Sequence, residues 1–201
     1  MALSALAVAV LAAAPGVQAQ NVGTFTIDGT STVRSWKCSV PHTLATSPVA
    51  GADEVLAGES AVQAVIVTVD VAAIDCGNGK MNDHLRNALK AKEHPTIEYR
   101  LSSYDLARAE PDVQATVHGT LTIAGATEPI TLQVGLAKDA SGALRAAGQQ
   151  QLAMTKFGVK PPSLMMGTMK VGDEVRVSFD VLVAPQSGNG IVEVPTSKQR
   201  N

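Results

Sequence analysis

Hydrophobic and polar residues alternate with a period of two along most of this chain, and one stretch breaks the rhythm. In MNDHLRNALKAKEHPTIEYRL, residues 81–101, Met81, Leu85, Ala88 and Leu89 recur on one helical face while Asp83, Arg86, Lys90 and Glu93 fall on the other. The spacing predicts one short amphipathic helix. Pro95 stops it and turns His94 toward extended geometry, and Ile97, Tyr99 and Leu101 then alternate with Glu98 and Arg100 as in a half-buried strand. A lone helix beside so many strands must lay its apolar stripe across a sheet face or over an open end.

The remaining elements follow from the same alternation. Thr24 to Ile27 reads as a first short strand ended by an Asp28-Gly29 turn, and Ser31 to Val40 as a second with Trp36, Cys38 and Val40 on one face. Pro41 to Glu59 is loop or edge material, with Glu54 to Leu56 pairing briefly. Ala61 to Ile74 is the most apolar strand, a central one, with Val65, Val67, Val69 and Val71 on one side. Asp105 to Pro111 reads as a polar connection. Val113 to Ile123 and Ile130 to Leu136 form a long hairpin about an Ala124-Gly125-Ala126-Thr127 turn, with one apolar face. Asp139 to Gly142 turns into Leu144 to Thr155, and Val175, Val177, Phe179, Val181 and Val183 alternate with Arg176, Ser178, Asp180 and Leu182 in a last strand.

About eight one-sided antiparallel strands in one domain either stack as two layers or roll into a barrel, and only the barrel removes exposed edges. An eight-stranded barrel is just wide enough for one small ligand. With only 3% aromatic residues, many inward side chains are short and leave room. The expected fold is therefore mainly β, an antiparallel barrel with one amphipathic helix.

Composition and the ends narrow the setting. Residues 1–19 hold an uncharged apolar run, then Pro15-Gly16 and the small-x-small site Val17-Gln18-Ala19, as in a secretory signal, although no Lys or Arg stands near Met1. The run from Ala2 to Ala14 is too short to span a bilayer. Residues 20–184 then make the single domain, and 185–201 a disordered polar tail. Export to the periplasm or beyond makes a bridge between Cys38 and Cys76 the natural state, closing a loop of about 38 residues and contributing about 4 kcal/mol. Lys plus Arg is 16 against 18 for Asp plus Glu, with no basic run, which favours neither nucleic acid nor an anionic membrane surface as partner.

No catalytic motif of the nucleophile-elbow, HExxH, phosphate-loop or SxxK type occurs. The histidines His42, His84, His94 and His118 are scattered and read as surface residues, and Asp70 and Asp75 as turn residues. Met154 and the run Leu164 to Met169 read as flexible apolar filling, with Cu(I) binding by thioethers as the alternative. No enzyme, metal or cofactor is expected.

Three passages resemble the YceI family: DHLRNALKAKEHPTIEYR its helix-to-strand segment, VHGTLTIAGATEPITLQV its hairpin, and MTKFGVKPP with VGDEVRVSF its closing loop and strand. The likeness runs from about Phe25 to Ala184. It implies an extended lipocalin-like barrel, periplasmic or secreted, taking up a polyisoprenoid or other amphiphilic lipid; separately, no stable membrane anchor is expected. On that reading the ligand is walled by Trp36, Val67, Ile97, Tyr99, Leu121, Leu132 and Phe179 of the strands, Leu85 and Leu89 of the helix, and Phe157, with Arg34, His84 or Lys160 near the mouth. Thr30 to Trp36 departs from the family's usual early strand, and the cysteine pair is an addition. The competing reading is a structural or interaction module whose barrel is packed solid. An enzyme acting on lipid is a third, without a nucleophile motif to support it. Oligomeric state is left open.

Overall fold

The computed structural model describes residues 18–20, 23–47, 51–59, 62–109, 112–164 and 168–183. Nearly all of the expected signal segment, the tail after residue 184, and Met165 and Met166 lie outside these residues. The chain forms one curled antiparallel sheet. Its strands are Gln18–Gln20 (β1), Gly23–Ser31 (β2), Ser35–Ser39 (β3), Thr43–Thr46 (β4), Val65–Asp70 (β5), Thr96–Ala109 (β6), Asp112–Ile123 (β7), Ala126–Lys138 (β8), Leu144–Ala153 (β9), Ser163–Leu164 (β10) and Met169–Val183 (β11), with helices Ala52–Ala57 (α1) and Gly79–Ala88 (α2). The order across the sheet is β1-β4-β5-β6-β7-β8-β9-β11-β2-β3, with β10 paired to β11 outside that path. The extra strands beyond the expected eight are short ones, β1, β4 and β10.

The long hairpin forms as its alternation dictates. Its turn is the two residues Ala124 and Gly125, at φ 48° and 84°, the paired positive values that match the twist of the flanking strands. Where the structure departs from the pattern, a local cause is visible. β2 runs straight through Asp28-Gly29, because Gly29 faces Trp36 in register and a Cβ there would lie 2.2 Å from the indole. β6 continues through the expected polar connection to Ala109, because a bulge between Leu101 and Ser103 shifts the inward positions by one residue and brings Tyr104 inside. The Ala61 to Ile74 strand is shorter at both ends, Val65–Asp70, and Val71–Ala73 is a helical turn capped by the Asp70 carboxylate on the Ala72 amide. Part of the presumed loop is α1, with Asp53 and Glu54 in its first turn and Gly58 in left-handed conformation at its end.

The hydrogen-bonded path has two edges, β3 and β1 with β4. The gap between them is closed by other means. At one end, Ala52 and Val55 of α1 pack with Leu44, Leu144, Val181 and Val183, tying β4 to β9 and β11. At the other, Cys38 and Val40 pack with Val69 and Ile74, and against these lie Met81, Leu85 and Leu89 of α2. The Cys38–Cys76 disulfide and an isolated bridge pair, Ser39 with Asp75, cross the gap there. Thus α2 does lie over an end of the rolled sheet.

Candidate functional site

The inward faces of the strands do not meet. They enclose a cavity of about 850 Å³, within the range that holds drug-sized ligands. Its wall is overwhelmingly aliphatic because period-two alternation sends Val175, Val177, Val181 and Val183 of β11 and Leu132, Val134 and Leu136 of β8 to the same side. Trp36, Val67, Ile97, Tyr99, Leu121, Leu132, Phe157 and Phe179 all line it, as do Leu85 and Leu89 from α2. Of the expected mouth residues, Arg34 and His84 line it, while Lys160 is exposed and does not.

Aromatic placement depends on small neighbours. Phe179 pairs across from Gly148, where a Cβ would lie 2.7 Å from the ring, and stacks on Phe25 with centroids 5.6 Å apart. Trp36 lies over Gly29 and donates its indole N–H to the Thr30 carbonyl at 3.3 Å. Tyr99 lies over Gly119, and its hydroxyl is buried without a hydrogen-bond partner. Burial pushes the phenol up to about 12, so it stays neutral and can only donate or accept a hydrogen bond. The Tyr104 hydroxyl, toward α1, accepts from the Val62 amide at 3.0 Å.

Polar lining is concentrated at the other end. Ser31 and Arg34 come from the β2–β3 turn, and Asn78, Lys80 and His84 from the start and first turns of α2, where Asn78 caps the helix by accepting from the Met81 amide. A smaller recess of about 300 Å³ adjoins here, sharing Arg34, Trp36, Cys76, Asn78 and Met81 with the main cavity and adding Ser35, Lys37 and Gly77. Asp75 precedes the recess residues Cys76 and Gly77 in the chain, its carboxylate held below the usual range by hydrogen bonds from Asn82 and the Gly77 amide.

His42 is not a surface residue. It is 6% exposed, with its ring 4.3 Å from that of Phe25, so the scattered-histidine reading fails there. His118 fits that reading, on the outer face and hydrogen-bonded to Thr131. Among the described residues no group of three or more His, Cys, Asp or Glu side chains is arranged to hold a metal. Met81, Met154 and Met169 line the cavity among aliphatic neighbours. No described helix is long and apolar enough to cross a membrane.

Sequence reasoning missed Phe25, Tyr104 and Lys80 as wall residues. Phe25 alternates with Ile27 in β2 and was findable; Tyr104 was hidden by the β6 bulge, and Lys80 by preceding Met81, where the apolar helical pattern begins, although α2 starts at Gly79.

The family described as the YceI-like domain matches residues 16–183. A comparison with curated proteins finds no match. Among solved structures, BcnA from Burkholderia cenocepacia is similar at TM-score 0.65 and 21% identity, covering 81% of this chain and 96% of its own. A polyisoprenoid binding domain from Saccharophagus degradans, implicated in plant cell wall breakdown, gives 0.63 and 12%, covering 83% and 98%. The Campylobacter jejuni YceI protein gives 0.52 and 16%, covering 91% and 92%. At these identities the likeness bears on the fold.

Proposed function

The chain belongs to the YceI-like domain family, and from that premise we propose that it binds an amphiphilic lipid of polyisoprenoid type, with the apolar chain in the cavity and the head at the α2 end. The observation that carries this reading is the hollow of about 850 Å³ behind an aliphatic wall. A packed barrel would have spent those side chains on each other. The Saccharophagus degradans neighbour, described as a polyisoprenoid binding domain, supports the same ligand class.

The energetics suffice. Each buried methylene contributes about 0.8 kcal/mol, so one five-carbon unit contributes about 4, against an association cost of roughly 4 to 15. Three or four buried units give useful affinity. Trp36, Val67, Ile97, Tyr99, Leu121, Leu132, Phe157 and Phe179, with Leu85 and Leu89, wall the ligand. We read the protein as a carrier or reservoir rather than an enzyme, since among the described wall residues no nucleophile is hydrogen-bonded to a base. The proposal includes export to the periplasm or beyond, supported by the Cys38–Cys76 disulfide, a bond that persists in oxidising compartments.

Native mass spectrometry of protein purified without detergent from its own cells tests the proposal. One amphiphile of a few isoprene units per chain is the expected result; ligand-free protein whose solvent extract holds no lipid would refute it.

A further inference from the structure

We propose that the Cys38–Cys76 disulfide is a redox latch: a dithiol reductant that opens it frees the start of α2 from the β3 edge and speeds passage of the ligand into and out of the cavity. The inference rests on the lipid-binding reading above and goes beyond it in naming how the site is regulated.

The bond stands where the cavity wall has least else to hold it. Trp36 and Val40 line the cavity from one side of the gap, and Val69, Cys76 and Met81 from the other. Across that gap, among the described residues, the backbone pairing is the isolated rung of Ser39 with Asp75, and the disulfide joins the residues next to it.

The far side of the gap belongs mechanically to the helix. The Asn82 side chain accepts from the Cys76 amide at 2.8 Å and donates to the Asp75 carboxylate at 2.9 Å, and Asn78 caps α2. Residues 75–78 therefore travel with α2, whose Met81 and Leu85, with Leu89 at its C-terminal cap, pack over that end of the rolled sheet. Cutting the bond leaves this unit joined to β3 by one rung and by apolar contact, and local opening becomes easier.

The two sulfurs differ in access. Cys38 is 1% exposed, inside the cluster with Val69 and Ile74. Cys76 is only half-buried, stands between the exposed Asp75 and Gly77, and lines both the cavity and the recess of about 300 Å³. Thiol exchange thus has one point of entry. A thiolate of the dithiol attacks Cys76 Sγ from the recess, the S–S bond breaks, and Cys38 leaves as a thiolate that takes up a proton. The reductant's second thiolate then displaces Cys76 Sγ from the mixed disulfide, and Cys76 is protonated in turn. Two electrons and two protons pass to the protein, and the reductant is left as a disulfide. The same exchange run backwards with a disulfide oxidant closes the latch.

Retinol, an isoprenoid alcohol with its own emission, serves as the probe, and its transfer to excess phosphatidylcholine vesicles measures release. In protein reduced with dithiothreitol, release should be at least about tenfold faster than in oxidised protein while Kd stays within about threefold, because a gate changes both rate constants together. Reoxidation should restore the slow rate, and the double variant Cys38→Ala, Cys76→Ala should release quickly with or without the dithiol. Glutathione under native conditions should be trapped on Cys76 alone, as peptide mass spectrometry would locate it. Release rates within about twofold of each other, an adduct shared between the two cysteines, or loss of the far-ultraviolet β signal on reduction overturns the latch alone. Failure of retinol to bind the oxidised protein removes the lipid reading and the latch with it.

Discussion

Replacing Cys38 and Cys76 together with alanine should lower the melting temperature by about 8 to 16 °C. The bond closes a loop of 38 residues, which on the chain-entropy relation restricts the unfolded chain by about 4 kcal/mol. For a domain of this size each kcal/mol moves the midpoint by about 2 to 4 °C. Its position gives the loss a structural signature as well. The bond crosses the gap between the β3 edge and the segment after β5, where the ladder is reduced to the single pair Ser39 and Asp75, with N···O distances of 2.7 and 3.1 Å. Thermal unfolding followed by far-ultraviolet circular dichroism measures the shift, and reduction of the unmodified protein with a dithiol should reproduce it. Hydrogen exchange should accelerate first at the Ser39 and Asp75 amides, ahead of the β6–β7–β8 ladder. A shift under about 4 °C, or exchange rising uniformly over the sheet, would refute the claim that the bond holds the gap shut.

Three further outcomes follow from the cavity and its surroundings. Val67→Trp adds bulk to a wall that faces empty space, so stability should change by less than about 1 kcal/mol in denaturant titration while isoprenoid affinity falls more than tenfold; a packed core would lose about 1 to 3 kcal/mol. At roughly 30 Å³ per non-hydrogen atom, 850 Å³ accommodates about 28 atoms, so affinity for a series of prenols should climb with each added unit to about five and then level off, as calorimetry would record. The Asp75 carboxylate is held below the ordinary value of about 4 chiefly by Asn82, so its contribution is present above that pH and fades as pH falls through the lowered value; Asp75→Asn should be less stable than the parent at neutral pH, with the two curves converging in acid.

Much of this arrangement was legible because a period-two pattern dictates which face a strand buries whatever its neighbours are. The β7–β8 hairpin and residues 175–183 of β11 are the clearest cases: both alternate regularly, and Ala115, Val117, Leu121, Leu132, Val134, Val177 and Phe179 among their apolar positions reach the cavity. The misreadings arose where a local signal had a long-range cause. Gly29 looked like a turn residue but is small to admit the Trp36 ring, and Asp105 to Pro111 looked like a connection although β6, shifted in register by a bulge between Leu101 and Ser103, runs on to Ala109. α1 is six residues long, too short to show a helical period. His42 gave no sign of burial, since its shelter is Phe25, a partner remote in sequence. The polar mouth was the least legible part, because the residues from 31–37 and 76–84 that form it are brought together by a fold closure that neither segment encodes alone.

All of these readings require the apolar strand faces to converge on an empty space that an amphiphile can fill. Calorimetric titration of delipidated protein with geranylgeraniol, repeated at several temperatures, tests that requirement most directly. A saturable isotherm at one ligand per chain with a negative heat-capacity change is the predicted result. Absence of saturable binding would contradict the account, as would a heat-capacity change of zero.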